Sequence, residues 1–365
     1  MKILHAITSL RKSAGTTTFV KGVANTLAES GHDMTIAILK IDDHFLGERP
    51  SGKVKVVTFD DILSGSESFD VVHLHGLWEM PVIKIARWAA KRRIRIVWSP
   101  HGAMSPWAMR HKWWKKRIFW HLFQKRALRL ADLFHVTSAK ESDWIRALGF
   151  AQPVVDAPLG TTIPPPRDSN QAVLDHKPSV LFVGRIYVVK GLANLLRAWA
   201  LLPEALRARW RLRIVGPDQA GYRKELERLA AALKVDDNVE FPGEKFGTEL
   251  ECEYDDAGFL VLPSFTENFG AVVVDALAHS KPCIASIYTP WQRLQTEGCG
   301  WWVDNTPRAL AEALQAMMEM TPEEREKMGE NGRRFAARVY AWDAIAAALI
   351  SAYAKIACNS REIIV

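Results

Sequence analysis

Cysteine is scarce in this chain. The four present among 365 residues, Cys252, Cys283, Cys299 and Cys358, are too few and too far apart for a disulfide framework or a zinc finger. They read as reduced thiols, the expectation for a cytoplasmic protein. Long apolar runs are also missing: none approaches the roughly 18 residues needed to cross a bilayer. The longest weakly polar stretch, near Ala344–Ala354, is alanine-rich and suits a packed helix. The opening MKILHAITSL has one lysine, a short apolar run and no cleavage site, so a first buried strand is expected there and not a signal peptide. A Gly-x-Gly-x-x-Gly fingerprint is absent, which argues against a dinucleotide-dependent oxidoreductase. No Asp-x-Asp motif is present either.

Acid is lacking in one block. From Lys84 to Arg129 there are 14 Lys or Arg and no Asp or Glu, although the whole chain carries only +7. The remainder holds 34 basic against 41 acidic side chains, so this block supplies the entire positive excess. It also holds Trp88, Trp98, Trp107, Trp113, Trp114 and Trp120. Three readings compete: a solvated face of ordinary helices, a nucleic-acid surface, and attraction to an anionic membrane. No nucleic-acid-binding motif accompanies the block, and no nucleic-acid partner is expected. Lysines attract lipid headgroups and tryptophans sit well at the interface, so Lys112–Phe123 (KWWKKRIFWHLF) is the stretch most suited to a membrane surface.

What is there otherwise is ordinary globular material, 48% hydrophobic and 24% charged, which excludes disorder and collagen and leaves enough apolar residues for a sizeable core. At roughly 100–200 residues per domain the length suggests two to three domains. Short β-type runs alternate with helical patterns. Lys2–Thr8, Asp33–Leu39, Val54–Phe59, Val71–His75, Ile94–Ser99 and Leu133–Thr137 read as strands, and Thr16–Ser30 as a helix closed by Gly31. A proline-rich stretch with linker composition follows, from Pro153 to Pro178. The alternation then restarts with strands at Ser179–Val183, Leu212–Val215, Val239–Phe241, Phe259–Leu262 and Cys283–Ala285. Near-continuous apolar strands separated by helices predict parallel sheets covered on both faces. The expected fold class is α/β: two Rossmann-like, doubly wound domains facing across a cleft. The expected boundaries are an N-terminal domain over 1–165, a linker over 166–178, a C-terminal domain over 179–341 and a last helix over 342–365. In such sheets ligands bind beyond the C-terminal strand ends.

Four strand-end segments carry candidate chemistry. In Val183-Gly184-Arg185-Ile186-Tyr187-Val188-Val189-Lys190-Gly191 a strand ends in glycine, and a basic pair five apart precedes a helix. Gly184 would let a ligand approach the backbone, Arg185 could hold phosphate oxygens as a fork, and Lys190 adds a point charge. A turn flanked by surface bases is the plainer alternative. In Pro263-Ser264-Phe265-Thr266-Glu267-Asn268-Phe269-Gly270 a loop enters a helix, whose first amides suit an anion. Glu267 lies in that loop and Asp275 eight residues on, and a carboxylate can bind a sugar diol. Helix capping by Glu267 and a surface pair for Asp275 are the competing reading. Ser99-Pro100-His101-Gly102 places His101 at a strand end, where an active-site residue should lie, although a lone histidine is more often structural. Ser13-Ala14-Gly15-Thr16 is a small-residue turn entering a helix, compatible with phosphate contact at Gly15 and Thr16.

Taken in order, Gly184-Arg185 with Lys190-Gly191, Glu267-Asn268-Phe269-Gly270 and the Glu267/Asp275 pair make the chain resemble the retaining glycosyltransferases of family 4, which have the GT-B fold. The resemblance implies that Arg185 and Lys190 bind the diphosphate of a nucleotide sugar. It implies that amides at Asn268, Phe269 and Gly270, and near Gly15 and Thr16, meet the same donor. Glu267 and His101 would contact the sugar, Asp275 the ribose, Phe241 would lie beside the base, and Gly216 would turn in the donor pocket. The sequence departs from the family pattern at Asp275, one methylene shorter than the usual Glu, at Ala14, and at Pro158-Leu159-Gly160. The family implies a hexosyltransferase that is retaining and metal-independent, with no resident cofactor and with UDP-sugar favoured over GDP-sugar. His73-Leu74-His75-Gly76-Leu77-Trp78, the segment around His101, Thr289-Pro290-Trp291 and Gly298–Trp302 resemble a subgroup that builds bacterial surface polysaccharides. That likeness implies a glycan or lipid-linked glycan acceptor, in lipopolysaccharide-type synthesis, and a cytoplasmic protein peripheral on the inner face of the membrane. A nucleotide-sugar epimerase of the same architecture and a non-catalytic basic membrane adaptor are the alternatives.

Overall fold

The computed structural model describes residues 1–10, 15–42, 49–110, 113–165 and 177–358, without the side chains of Trp107 and Arg110. Ser13, Ala14 and Lys112, singled out above, and residues 166–176 of the expected linker lie outside the described residues.

Two units divide the chain. One takes Met1–Gly160 and the chain from Trp342 onward, the other Thr161–Ala341. The first boundary thus falls at Gly160, five residues before the expected 165. Proline content misled here, because the prolines begin before the first unit is finished.

The first unit holds a parallel sheet of seven strands: β1 (Lys2–Ala6), β2 (Asp33–Ile38), β3 (Lys55–Thr58), β4 (Val71–His75), β5 (Arg95–Ser99), β6 (Leu133–Val136) and β7 (Val154–Asp156), in the order β3-β2-β1-β4-β5-β6-β7. The central strands are buried along nearly their whole length, which is why they read as continuous apolar runs. β7 was not foreseen. It pairs with β6 at the sheet edge inside the proline-rich stretch, where a strand beginning just after Pro153 keeps its ladder bonds.

The helix Trp342–Cys358 completes this unit. Its Ile345, Ala346, Leu349, Tyr353 and Ile356 share one core with Phe19, Val20, Val23 and Leu27 of the helix Gly15–Glu29. The Trp342 ring lies where a Cβ on Gly22 or Gly160 would collide with it.

The second unit repeats the plan with six parallel strands, β8 (Ser179–Val183), β9 (Arg211–Val215), β10 (Val239–Gly243), β11 (Ala257–Leu262), β12 (Cys283–Ser286) and β13 (Gly300–Val303), in the order β10-β9-β8-β11-β12-β13. Helices such as Leu192–Leu201 and Pro307–Glu319 bury one apolar face on it. In each sheet the strand order reverses once, between β1 and β4 and between β8 and β11. Loops leaving the C-terminal ends of those pairs diverge, and the crevice they leave is where such folds bind ligands.

Candidate functional site

The second unit brings most of the sequence candidates to its reversal point. β8 ends at Val183, Gly184 and Arg185 follow it, and a single 3-10 turn, Val188–Lys190, delivers Lys190. β11 ends at Leu262, and the loop 263–270 runs to Gly270, where the helix Ala271–Ala278 begins. The two loops are joined at several points. Phe265 donates its backbone N–H to the Val189 carbonyl (2.9 Å). Buried Asn305 donates to the Pro263 carbonyl while its own carbonyl accepts from Asn194 Nδ2 at 2.6 Å. Gly191 has φ +70°, and a Cβ there would run into the Pro263 carbonyl, so only glycine admits this approach.

Lys190 and Glu267 meet. Lys190 Nζ lies 2.5 Å from Glu267 Oε1, and both side chains are largely buried. Ser264, itself buried, donates to the same oxygen at 2.8 Å. No protein partner faces Oε2 among the described residues. The sequence placed Lys190 on a phosphate and Glu267 on a sugar; the fold places them on each other at the crevice mouth. Arg185 stands apart from that pair, exposed, donating to Gln219 Oε1 at 3.0 Å.

The helix start is pinned from one side. Trp291 donates its indole N–H to the Phe269 carbonyl (2.6 Å), and the rings of Phe269, Trp291 and Tyr340 pack with centroids 5.2–5.8 Å apart. Gly270 takes φ +80° directly before the helix. Asn268 lies in the same loop. Asp275 lies inside the helix and accepts from Thr161 Oγ1 at 2.7 Å. Burial pushes its carboxyl up to about 6, with the Thr161 bond and nearby His279 pulling the other way. Gly216 follows β9 and lies against Gly184, whose carbonyl leaves no room for a Cβ. Phe241 is on β10 under the Arg223 guanidinium, 5.5 Å from the ring centre.

The first unit places His101 at its own strand end, and not alone. His5 on β1, His73 and His75 on β4, His135 on β6 and His101 after β5 form one cluster, with Ser99 and Tyr353 among them. Phe19 of the helix Gly15–Glu29 covers it, stacking on His135 at 4.7 Å and meeting His101 at 5.6 Å. The helix starts at exposed Gly15, with Thr16 next.

One branch of the cluster has a determined direction. The Ala157 carbonyl can only accept, so His135 donates to it from Nε2 (2.7 Å) and its Nδ1 accepts from Ser99 Oγ (2.5 Å). Ser99 then accepts from His73 Nε2, and His73 Nδ1 accepts from the Tyr353 hydroxyl, both at 2.5 Å. Every ring in that branch is neutral. Burial holds His5 and His101 down at about 3 and His135 at about 4, and pushes His73 and His75 well below the usual histidine range.

His101 sits at φ +51° and Gly102 at +76°, a turn that a side chain does not adopt without support. Glu141 supplies it. Fully buried at the start of the helix Ala139–Ala147, it accepts from the Gly102 N–H (2.5 Å) and from the N–H and hydroxyl of Thr137 (3.0 and 3.1 Å). A Glu141→Gln protein would turn an amide N–H₂ toward a backbone N–H. It is expected to lose about 1–3 kcal/mol in urea unfolding, as an unsatisfied buried group does. Unchanged stability would mean that the turn holds itself.

Sequence analysis gave no site role to Glu141, Ser264, Asn305 or four of the five clustered histidines. His73 and His75 at spacing two on a buried strand were the available signal.

The basic block is divided by the fold. Trp88, Trp98 and Trp120 are core residues, so half of its tryptophans have nothing to do with a surface. Trp113 and Trp114, with Ile118 and Leu122, are each more than half exposed beside Lys115 and Arg117 on the helix Trp113–Phe119 and the π-type turn Trp120–Gln124 that continues it. No helix among the described residues is long and apolar enough to cross a membrane.

Two doubly wound parallel sheets, each with its reversal point, are the GT-B architecture. Over 97–98% of its length the chain superposes with a TM-score of 0.75 on sucrose-phosphate synthase from Thermosynechococcus elongatus, at 21% identity and 99% of that chain, and on Anabaena HepE bound to UDP and glucose, at 18% and 100%. Residues 166–335 match the family model "Glycosyl transferases group 1" and residues 48–160 the model "Glycosyl transferase 4-like domain". The chain belongs to this family of glycosyltransferases. Among curated relatives, the D-inositol 3-phosphate glycosyltransferase of Streptomyces griseus is 32% identical over 190 residues, 50% of this chain and 40% of that protein. The chain thus spans less than half the length of that relative.

Proposed function

We propose that the protein transfers a hexose-type sugar, with retention, from a nucleotide-diphosphate sugar to a glycan or lipid-linked glycan. The observation that carries this is the Lys190–Glu267 pair held across the ends of β8 and β11 beside a helix start. Cleaving a sugar–phosphate bond leaves negative charge on the diphosphate. Fixed positive groups and backbone amides aimed at that charge supply the largest catalytic term. Lys190, Arg185 and the amides of Asn268, Phe269 and Gly270 are that set, and Gly15 and Thr16 offer helix-start amides of their own in the first unit. Glu267 Oε2 then takes a sugar hydroxyl while Oε1 holds Lys190, and His101 contacts the sugar near the reacting carbon. Asp275 binds the ribose, Phe241 lines the base and Gly216 the donor pocket. The charge is met by side chains and amides, so the reading needs no cofactor and no metal. Attack on the same face, with the leaving phosphate taking the acceptor proton, accounts for retention without a covalent intermediate.

UDP-sugars are the first donors to test, in keeping with the family resemblance and the UDP and glucose bound by Anabaena HepE. A thermal-shift screen of UDP-glucose, GDP-mannose and ADP-glucose is expected to raise the melting temperature with the UDP-sugar, because a ligand that binds only the native state stabilises it by mass action. No shift with any of the three would end the donor reading. Free nucleoside diphosphate appearing only with acceptor separates transfer from epimerisation.

The subgroup motifs and the exposed Trp113, Trp114, Ile118 and Leu122 support an acceptor held at a cytoplasmic membrane face, in surface-polysaccharide synthesis. At about 1 kcal/mol per basic residue near an anionic surface, a Lys115→Ala/Arg117→Ala protein is expected to bind phosphatidylglycerol vesicles about 30-fold more weakly at low salt. Wild-type protein remaining in the supernatant after vesicle sedimentation would remove the membrane from this reading.

A further inference from the structure

We propose that His75 and His5 are positioning residues for His101, forming a head-to-tail relay in which all three rings carry their proton on the same nitrogen. His75 Nδ1 lies 2.9 Å from His101 Nε2, and His75 Nε2 lies 3.0 Å from His5 Nδ1. Each link therefore joins the Nδ1 of one ring to the Nε2 of the next. A neutral imidazole has one proton, so the middle ring, His75, donates at one link and accepts at the other, and each end ring takes the complementary role at its single link. If His5 holds its proton on Nδ1, His75 must hold its own on Nδ1 to reach His101, and His101 is left with Nδ1–H. If His5 holds it on Nε2, the whole series reverses. No mixed arrangement satisfies both links.

The surroundings keep the rings neutral and in place. His5 and His75 are buried, the cluster lies under Phe19, and burial holds all three rings far below the ordinary histidine range. The rings lie edge to edge and nearly coplanar, His5 to His75 at 23° and His75 to His101 at 21°, with centroids 5.0 and 5.2 Å apart. Their nitrogens face one another along the row. A metal shared by His5, His73 and His75 would need their lone pairs to converge on one point, and would break these bonds and those of His73 to Ser99 and Tyr353. The relay ends blind: His5 Nε2 is buried and has no hydrogen-bond partner among the described residues.

His101 lies at the other end, partly exposed, with its Nδ1 outside the relay. Whether that nitrogen offers a proton or a lone pair is thus tied to the proton position on His5, two rings away. What the choice serves, the orientation of a sugar hydroxyl at His101, rests on the transfer reading above. The common tautomer does not.

Protein labelled with ¹⁵N-histidine and assigned by single substitutions gives each ring's tautomer from long-range ¹H–¹⁵N correlations. His5, His75 and His101 are expected to share one tautomer, while His73 and His135 show Nε2–H as the internal control. Any one of the three differing from the other two overturns the relay. In a His75→Phe protein, which keeps an aromatic ring in the row, His101 is expected to become a mixture of both tautomers with His135 unchanged. His101 retaining its wild-type pattern there would deny His75 the positioning role. If that variant does not fold, the wild-type spectrum alone decides. A common tautomer without UDP-glucose binding would keep the relay and lose the sugar reading; mixed tautomers with intact binding would do the reverse.

Discussion

Replacing Lys190 by alanine is expected to lower turnover by about 10²–10³-fold, the cost of removing one preorganised group that stabilises developing charge. Lys190 is placed by a single 3-10 turn locked through Gly191, and its ammonium lies at the crevice with Glu267 as counter-ion. The variant also strips Glu267 of that partner, leaving the Ser264 bond, so some stability is lost as well. The two effects separate when turnover is measured on protein whose near-ultraviolet circular dichroism matches the wild type. Lys190→Arg keeps the charge on a larger planar group and is expected to recover only part of the rate, since a guanidinium does not place its charge where an ammonium does. An alanine variant within threefold of wild type, with UDP-glucose as donor, would show that the diphosphate charge is met elsewhere.

Acidification is expected to unfold the first unit near pH 5 while the second survives. His5 and His101 are held at about 3 and His135 at about 4, against 6.5 for a free ring. A group whose folded value is lowered contributes stability that is complete above 6.5 and lost as pH falls from there toward the folded value. At 1.36 kcal/mol per unit, each of these three rings gives up on the order of 2 kcal/mol by pH 5. Together that rivals the whole stability of a typical domain, before His73 and His75 are counted. Glu141, raised by burial, opposes the trend with one group. Asp275 in the second unit is raised to about 6, so its contribution is present in acid and is lost as pH climbs through 6. Hydrogen exchange followed from pH 8 to pH 4 can resolve the units separately. Equal protection of both at pH 4.5 would mean that the cluster admits protons without unfolding.

Much of this was legible beforehand. The alternation of buried strands and helices follows from composition and period, and strand ends fall where glycine and charged residues interrupt apolar runs, as at Gly184-Arg185. The loop 263–270 was readable for the same reason. The histidine cluster was not, because its members come from β1, β4, β6 and the turn after β5, and only sheet order brings them together. Glu141 was hidden as one acid among others on a helix, its partner 39 positions earlier. The Lys190–Glu267 pair was half visible: both residues were marked, but their mutual contact depends on β8 and β11 being neighbours.

The helix Trp342–Cys358 gives the chain an order of completion during synthesis. Thr161–Ala341 is one uninterrupted stretch, so the second unit can finish as soon as it leaves the ribosome. The first cannot. Its core lacks Leu349 and Ile356, His73 lacks the hydroxyl of Tyr353, and Gly22 and Gly160 face a gap meant for an indole, until the closing helix is made. The half translated earlier therefore matures later, and a nascent chain stalled before residue 342 would expose an unfinished amino-terminal sheet to chaperones and proteases beside a finished neighbour.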